Sequence, residues 1–410
     1  MVQYFFPYRH LIAEDWNKML PAYLPLFIGA KNPGQYSLTC LSLIGHIHDT
    51  HANVWNLRPD LDSIKGRYRA PFEAVFAENK LVVTKYLMDS PDIRSLLPTG
   101  AIIRAINGIA VDSLTREFLP FTPASNEAAK WRDMPSAYGF LLRSNRPASD
   151  YEFEYHGSVK TVRLSGVGIY SGGHLLKPQP ALGDKGYDLI GSDIGYIRAD
   201  HLSAKDFNLV RRTLDSTKGI IIDLRCYPAS FMGYIYGSWL KADKSPFAVA
   251  TSSDTRRPGC MSISPPNENG GNWGVSGTDS TPRDKVYKGK VIILVDANTQ
   301  SQAEYTAMAL RSAPGAMVVG STTAGADGDI TYVWLPGNVL TQFSSVGIYY
   351  PDGGETQRVG VRVDVPLQVT VKGLQEGRDE FLEEAIRMIS RGGKTHKEGG
   401  DMPDTSGIFR

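Results

Sequence analysis

The sequence predicts an α/β protein, in which a parallel or mixed sheet covered by helices follows a small β-rich module and a helical leader. Residues 219–225 (GIIIDLR), 291–295 and 316–319 are short apolar runs rich in β-branched residues, the pattern of strands buried on both faces. Helical spacing fills the intervals, at 205–216 with Phe207, Val210 and Leu214 on one face, and at 302–312 with Ala303, Tyr305, Ala307, Met308 and Leu310. Strands and helices alternating in this order imply layered α/β packing. Between 68 and 155 the rhythm is instead one of short alternating strands.

Taken in order, residues 15–30 and 36–47 repeat apolar positions at helical spacing, and Pro21, Pro25 and Pro33 mark expected breaks. This leader, 1–66, ends in His46, His48, Asp49 and His51. Closely spaced imidazoles and a carboxylate are what zinc selects. The spacing here is H-x-H-D-x-H, however, whereas dinuclear metallo-hydrolases use H-x-H-x-D-H, so the aspartate is expected to face away and no metal is expected. Residues 72–76, 80–86, 101–106 and 151–155, with Asn107-Gly108 as a tight turn, make the β-rich module at 67–168. A further strand is expected at 191–199. Residues 250–285 are rich in Ser, Thr, Gly, Pro and Asn, too polar for a core, and read as a flap over a cleft or as a disordered surface insertion. The main domain is expected to span 169–392, and 393–410 reads as a tail.

Composition narrows function. The 410 residues suggest two or three domains, and 42% hydrophobic content supports real cores. With 44 basic and 43 acidic residues the net charge is +1, which gives no electrostatic footprint for nucleic acid. No apolar stretch approaches the roughly 20 residues needed to span a bilayer. Residues 1–6 lack the basic and apolar regions of a signal peptide. Three cysteines, Cys40, Cys226 and Cys260, leave at least one thiol free and set no disulfide framework.

The most informative stretch is 290–329, one βαβ unit with Ser301 at its first turn. That serine lies at the carboxyl end of a strand and the amino end of a helix, where free N–H groups and the helix dipole favour a developing negative charge. The same spacing, Ser301-x-x-Glu304, fits a capping box in which the serine only satisfies the first helical turn. From these residues alone both roles stand.

Four motifs in order resemble the C-terminal processing (tail-specific) serine peptidases. Residues 223–230, with Asp223, Leu224, Arg225 and Pro228, resemble their "DLR-x-x-P-G-G" corner, with Ala229 and Ser230 in place of the glycines. Thr299, Ser301, Ala303 and Glu304 resemble the "T-x-S-x-A-E" nucleophile turn. Asp49, Thr50 and His51 resemble the "D-G/S-H" element of the histidine-using, tricorn-like branch, and Gly360, Val361 and Asp364 the closing "G-V-x-P-D" strand. Residues 97–111, with Gly100, Ile102, Ile103, Ile106, Asn107, Gly108 and Val111, resemble the core of PDZ domains, although Ala101 replaces their usual aspartate. The resemblance implies a spiral βα catalytic core of the crotonase/ClpP-like kind, an exported bacterial enzyme and a polypeptide substrate, with no cofactor.

It also implies roles. Ser301 is the nucleophile and His51 the base; a lysine base is excluded because no lysine occurs between Ser301 and Lys372. By motif position the oxyanion donors are the N–H groups of Ala229 and Gln302. Where the tricorn-like branch orients its histidine with a serine and a glutamate, this chain has Thr50 and Gln357. The expected function is a serine endopeptidase acting on unfolded or C-terminally exposed polypeptides. Two other classes stand beside it: an inactive peptide-binding homologue, motivated by the missing glycines and glutamate, and a metal hydrolase built on His46, His48 and His51.

Overall fold

The computed structural model of the chain describes residues 1–87, 91–170, 185–266, 274–277 and 282–391. The expected buried runs lie at the centre of one sheet. Its strands are, side by side, Tyr187–Ile190, Ile194–Arg198, Gly219–Asp223, Lys290–Val295, Met317–Gly320 and Val365–Pro366. The first pair is antiparallel and all later neighbours are parallel. Ile220, Ile222, Val291, Ile293 and Val295 enter a core with Val210, Leu214, Tyr236, Trp239 and Met308. Ile221, Ile292, Leu294 and Val319 enter another, with Phe381, Ala385 and Ile389 of the helix Glu380–Ser390. Both faces are covered, and this is why 220–222 and 291–295 contain no polar position. At Gly320, φ is 146° and a Cβ would lie 1.8 Å from the Val295 carbonyl oxygen, so only glycine lets these two strand ends approach.

The β-rich module is an antiparallel sheet ordered Phe72–Ala77, Lys80–Tyr86, Ile102–Ile106, Ala148–Tyr155, Ser158–Ser165. Phe72–Ala77 is an edge strand. The helix Glu127–Asp133, which the sequence reading did not anticipate, is capped by Asn126 and packs Trp131 against Phe76 with ring centroids 5.0 Å apart.

The leader holds the helices Trp16–Ile28 and Pro33–Gly45. Pro33 starts the second, as expected, but Pro21 and Pro25 lie inside the first and do not end it. Both prolines are exposed, so water can satisfy the carbonyls whose helical partners they remove. A hairpin, Ile330–Leu335 with Val339–Ser344, packs Val333, Leu335, Val339 and Phe343 against Phe6, Tyr8, Cys40 and Ile44.

The polar stretch 250–285 corrects an expectation. It contains Met261–Ser264, which pairs with Val249–Ser253, itself paired with Val346–Tyr349. Ala250 is buried in the main core, and Val275 is buried as well. A sheet ladder satisfies the backbone of a polar strand, so composition alone misjudged it. Residues 267–273, 278–281 and the expected tail lie outside the described residues. No helix among the described residues is long and apolar enough to cross a membrane.

Candidate active site

At the carboxyl end of Lys290–Val295 the chain turns into the helix Gln302–Arg311. Thr299 Oγ1 donates to the Leu224 carbonyl (2.7 Å) and accepts the Asp296 N–H (3.1 Å), tying the turn to the neighbouring strand. Ser301 then adopts φ 55° and ψ −121°. A non-glycine residue in such backbone costs about 1–3 kcal/mol and persists only where its surroundings enforce it. Here the enforcement is visible. The Ser301 N–H donates to the Ala326 carbonyl (3.0 Å) and to Glu304 Oε2 (3.2 Å). Buried Glu304 also accepts from Thr323 Oγ1 (2.5 Å) and from the N–H groups of Gly325 (2.8 Å) and Ala326 (3.0 Å). The capping-box arrangement therefore coexists with a strained serine that lines a cavity.

Burial pushes the Glu304 carboxyl up from its ordinary pKa, against these hydrogen bonds. Its buried neighbour Asp327 is raised well above the usual range, by burial first and then by the charge of Glu304. Removing Glu304 would orphan several buried donors at once. Glu304→Ala is expected to cost about 3–5 kcal/mol, and calorimetry should show a fall in Tm of roughly 6 °C or more. A Tm within a degree of wild type would show that the carboxylate does not hold this turn.

His51 is 5% exposed, and its Nδ1 lies 2.9 Å from Ser344 Oγ. Ser344 Oγ in turn donates to Asp49 Oδ1 (3.0 Å), which is itself 3.8 Å from Nδ1. Asp49, fully buried, also accepts the N–H groups of Ser344 (2.6 Å) and His51 (3.1 Å). A carboxylate only accepts, so the Ser344 proton is committed to Asp49 and the Ser344 oxygen must accept from Nδ1–H. That order fixes the tautomer and leaves Nε2 with a free lone pair.

Neither residue expected to orient the imidazole is hydrogen bonded to it. Thr50 and Ser125 bond each other reciprocally: the Thr50 N–H donates to Ser125 Oγ (2.8 Å) and the Ser125 N–H to Thr50 Oγ1 (2.9 Å). Thr50 Oγ1 also donates to the Ala324 carbonyl (3.1 Å), which fastens the histidine turn to the loop after Met317–Gly320. Gln357 Nε2 reaches Asp49 Oδ1 (3.4 Å) and Ser125 Oγ (3.3 Å), one step behind the imidazole. The groups that reach the imidazole Nδ1 are Ser344, hydrogen bonded to it, and Asp49 behind Ser344. Ser344 lies 293 residues from His51 and 295 from Asp49, so no local pattern announced it, whereas Asp49 stands in the motif that ends in His51.

The expected oxyanion donors also part company. The Gln302 N–H, first in its helix, has no partner among the described residues. The Ala229 N–H is spent on the Ala199 carbonyl (3.0 Å) and is not available in this conformation. The metal constellation does not form either: His46 Nδ1 and His48 Nε2 both face Glu14 (3.2 and 2.9 Å), whereas His51 turns to Ser344. Among the described residues no three His, Cys, Asp or Glu side chains are grouped to hold a metal.

Ser301 and His51 line one cavity of about 1450 Å³. They are not hydrogen bonded to each other, a common condition in unliganded sites whose contacts tighten on substrate. One wall is the edge strand of the module and the turn that follows it, with every residue from Glu73 to Asn79 lining the space. Since side chains alternate along a strand, five consecutive lining residues of the strand, Glu73 to Ala77, mean that the backbone edge faces the cavity. Arg132 bridges the module to the serine turn, donating to the Ala297 carbonyl (2.6 Å) and Gln300 Oε1 (2.9 Å).

Comparison with known proteins fits this geometry. Peptidase family S41 matches residues 193–367, the span that holds most of the core sheet, Ser301, Ser344 and Gln357. A carboxy-terminal-processing protease of Bartonella bacilliformis is 21% identical over 348 residues, 82% of this chain and 70% of that protein. The crystal structure of mature CPAF is similar with a TM-score of 0.70 at 13% identity, over 96% of each chain. A putative peptidase from Parabacteroides merdae gives 0.54 at 12% identity, over 95% of this chain and 93% of that one. At these identities the two structures speak to the fold, which extends through the leader and module as well as the matched span.

Proposed function

We propose that this chain, a serine-type peptidase whose residues 193–367 match peptidase family S41, uses Ser301 and His51 to cleave peptide bonds within unfolded or C-terminally exposed polypeptides. Ser301 Oγ attacks the carbonyl, His51 Nε2 takes its proton and returns it to the leaving amine, and the Gln302 N–H holds the oxyanion. Ala229 becomes the second donor only if substrate breaks its bond to Ala199. Asp49 and Ser344 are positioning residues that hold the imidazole in its Nδ1–H tautomer; Thr50 and Gln357 support that pair from behind.

The observation that carries this reading is the joint presence, in one cavity, of a strained serine and a histidine with its hydrogen-bond chain. A protein that only bound peptides would have no use for either cost. The exposed backbone edge of Phe72–Ala77 supports the substrate class, because only an extended chain can lie along a strand edge. Incubating wild type beside Ser301→Ala with an unfolded casein-like substrate tests the reading. Cleavage by wild type alone, with fluorophosphonate labelling lost in the variant, is expected; equal cleavage by both would overturn it.

The acid side of the pH profile gives a separate check. Burial lowers the His51 pKa from 6.5, the Arg132 guanidinium adds to the effect, and Asp49 and Asp329 oppose it. The neutral imidazole is the active form, so a lowered pKa keeps the base competent further into acid. The acidic limb of kcat/KM should therefore fall below 6.5. A limb at 7 or above would mean that another group is titrating.

A further inference from the structure

The hairpin Ile330–Leu335/Val339–Ser344 has two unlike faces. Directly opposed residues of an antiparallel pair share a face, and the register pairs Ile330 with Ser344, Tyr332 with Gln342 and Trp334 with Leu340. The other face, with Val333, Leu335, Val339 and Phe343, is packed on the leader. On the first face, Ser344 holds His51, and Ile330 and Gln342 line the catalytic cavity. Continuing outward along the same row, Tyr332 and Trp334 are 61% and 60% exposed. Two large aromatics side by side in solvent, continuous with a cavity wall, are a cost unless something covers them.

We propose that Tyr332 and Trp334 form a shelf that selects large apolar side chains at alternate positions of the polypeptide substrate, to one side of the scissile bond. The inference rests on the peptidase reading. Ile330–Leu335 belongs to a two-stranded sheet, so its outer edge has no strand partner among the described residues. An extended substrate entering the cavity beside Ile330 can follow that edge. Its side chains then recur every ~6.6 Å, the spacing from Ile330 to Tyr332 to Trp334, so the selected residues lie two and four positions beyond the one beside Ile330. The six side chains of this face carry no formal charge. Aromatic and branched aliphatic groups therefore suit it better than charged ones, and the rings supply the contact area.

The test uses pairs of quenched peptides, identical except for phenylalanine or alanine at two alternate positions, moved stepwise away from the cleaved bond on each side in turn. Wild type is compared with Y332T/W334T, since threonine keeps strand propensity. Wild type should favour the aromatic peptide by about tenfold or more in kcat/KM, and the double variant by no more than about twofold. The same comparison by fluorescence anisotropy in the Ser301→Ala background needs no turnover, so it separates this inference from the peptidase assignment. Cleavage by Ser301→Ala would sink the assignment instead. A wild type without aromatic preference, or a double variant that keeps it, overturns the shelf. So does a double variant that changes oligomeric state in sedimentation with preference untouched, which would make this face a contact between two copies of the chain.

Discussion

Ser301→Ala is expected to reduce kcat by about 10⁴- to 10⁶-fold, the usual loss when a nucleophile and its base act as one unit. The stability of substitutions at this position should run against intuition. Alanine keeps the unfavourable φ of 55° and loses the cap, which costs about 1 kcal/mol. Glycine also removes the nucleophile, but it adopts positive φ freely and costs a cap only a few tenths of a kcal/mol. Releasing strain of about 1–3 kcal/mol should leave Ser301→Gly as stable as wild type or more so. Inactivity of both variants with Tm in the order Gly, wild type, Ala would locate the strain at the nucleophile. If glycine melts lowest, the turn is not strained and its geometry needs another cause.

What the sequence made legible follows from how local each signal is. The core strands were readable because burial on both faces leaves 220–222 and 291–295 wholly apolar. Ser301 was readable because a strand gives way to a helix at that point, although its backbone angles were not. The helix Glu127–Asp133 has its signal in Asn126, a good N-cap, but seven residues are too few for a period to emerge. The ladder formed by Val249–Ser253 depends on Val346–Tyr349, and no count of serines and threonines could reveal that pairing. The orienting group is the sharpest case. Motif position pointed to Gln357, where the tricorn-like pattern has glutamate, and the missing charge looked like a weakness. In the fold the charge sits on Asp49 instead, 3.4 Å from Gln357 Nε2. A glutamate at 357 would bring a second carboxylate against the first, so an amide that donates is the residue this arrangement needs.

Asp49→Asn should accordingly have the second large effect, although Asp49 touches no reacting atom. An asparagine of the same shape can offer N–H where the carboxylate only accepted. The Ser344 hydroxyl then loses its fixed acceptor and can turn its proton toward His51 Nδ1. That reversal favours the Nε2–H tautomer and removes the lone pair that faces the cavity, a defect that can cost on the order of 10⁴ in kcat with the fold intact. Two readouts separate this from simple loosening. Asp49 is the leading electrostatic influence that raises the His51 pKa, so deleting its charge should move the acidic limb of kcat/KM to still lower pH. Imidazole nitrogen shifts in NMR should report the changed tautomer directly. Ser344→Ala should fall between, by roughly 10- to 10²-fold, because Asp49 Oδ1 is already 3.8 Å from Nδ1 and a small shift restores a direct bond. An Asp49→Asn enzyme with wild-type kcat and an unmoved acidic limb would remove both residues from the catalytic chain and leave Asp329, the other carboxylate that acts on His51, as the group to test.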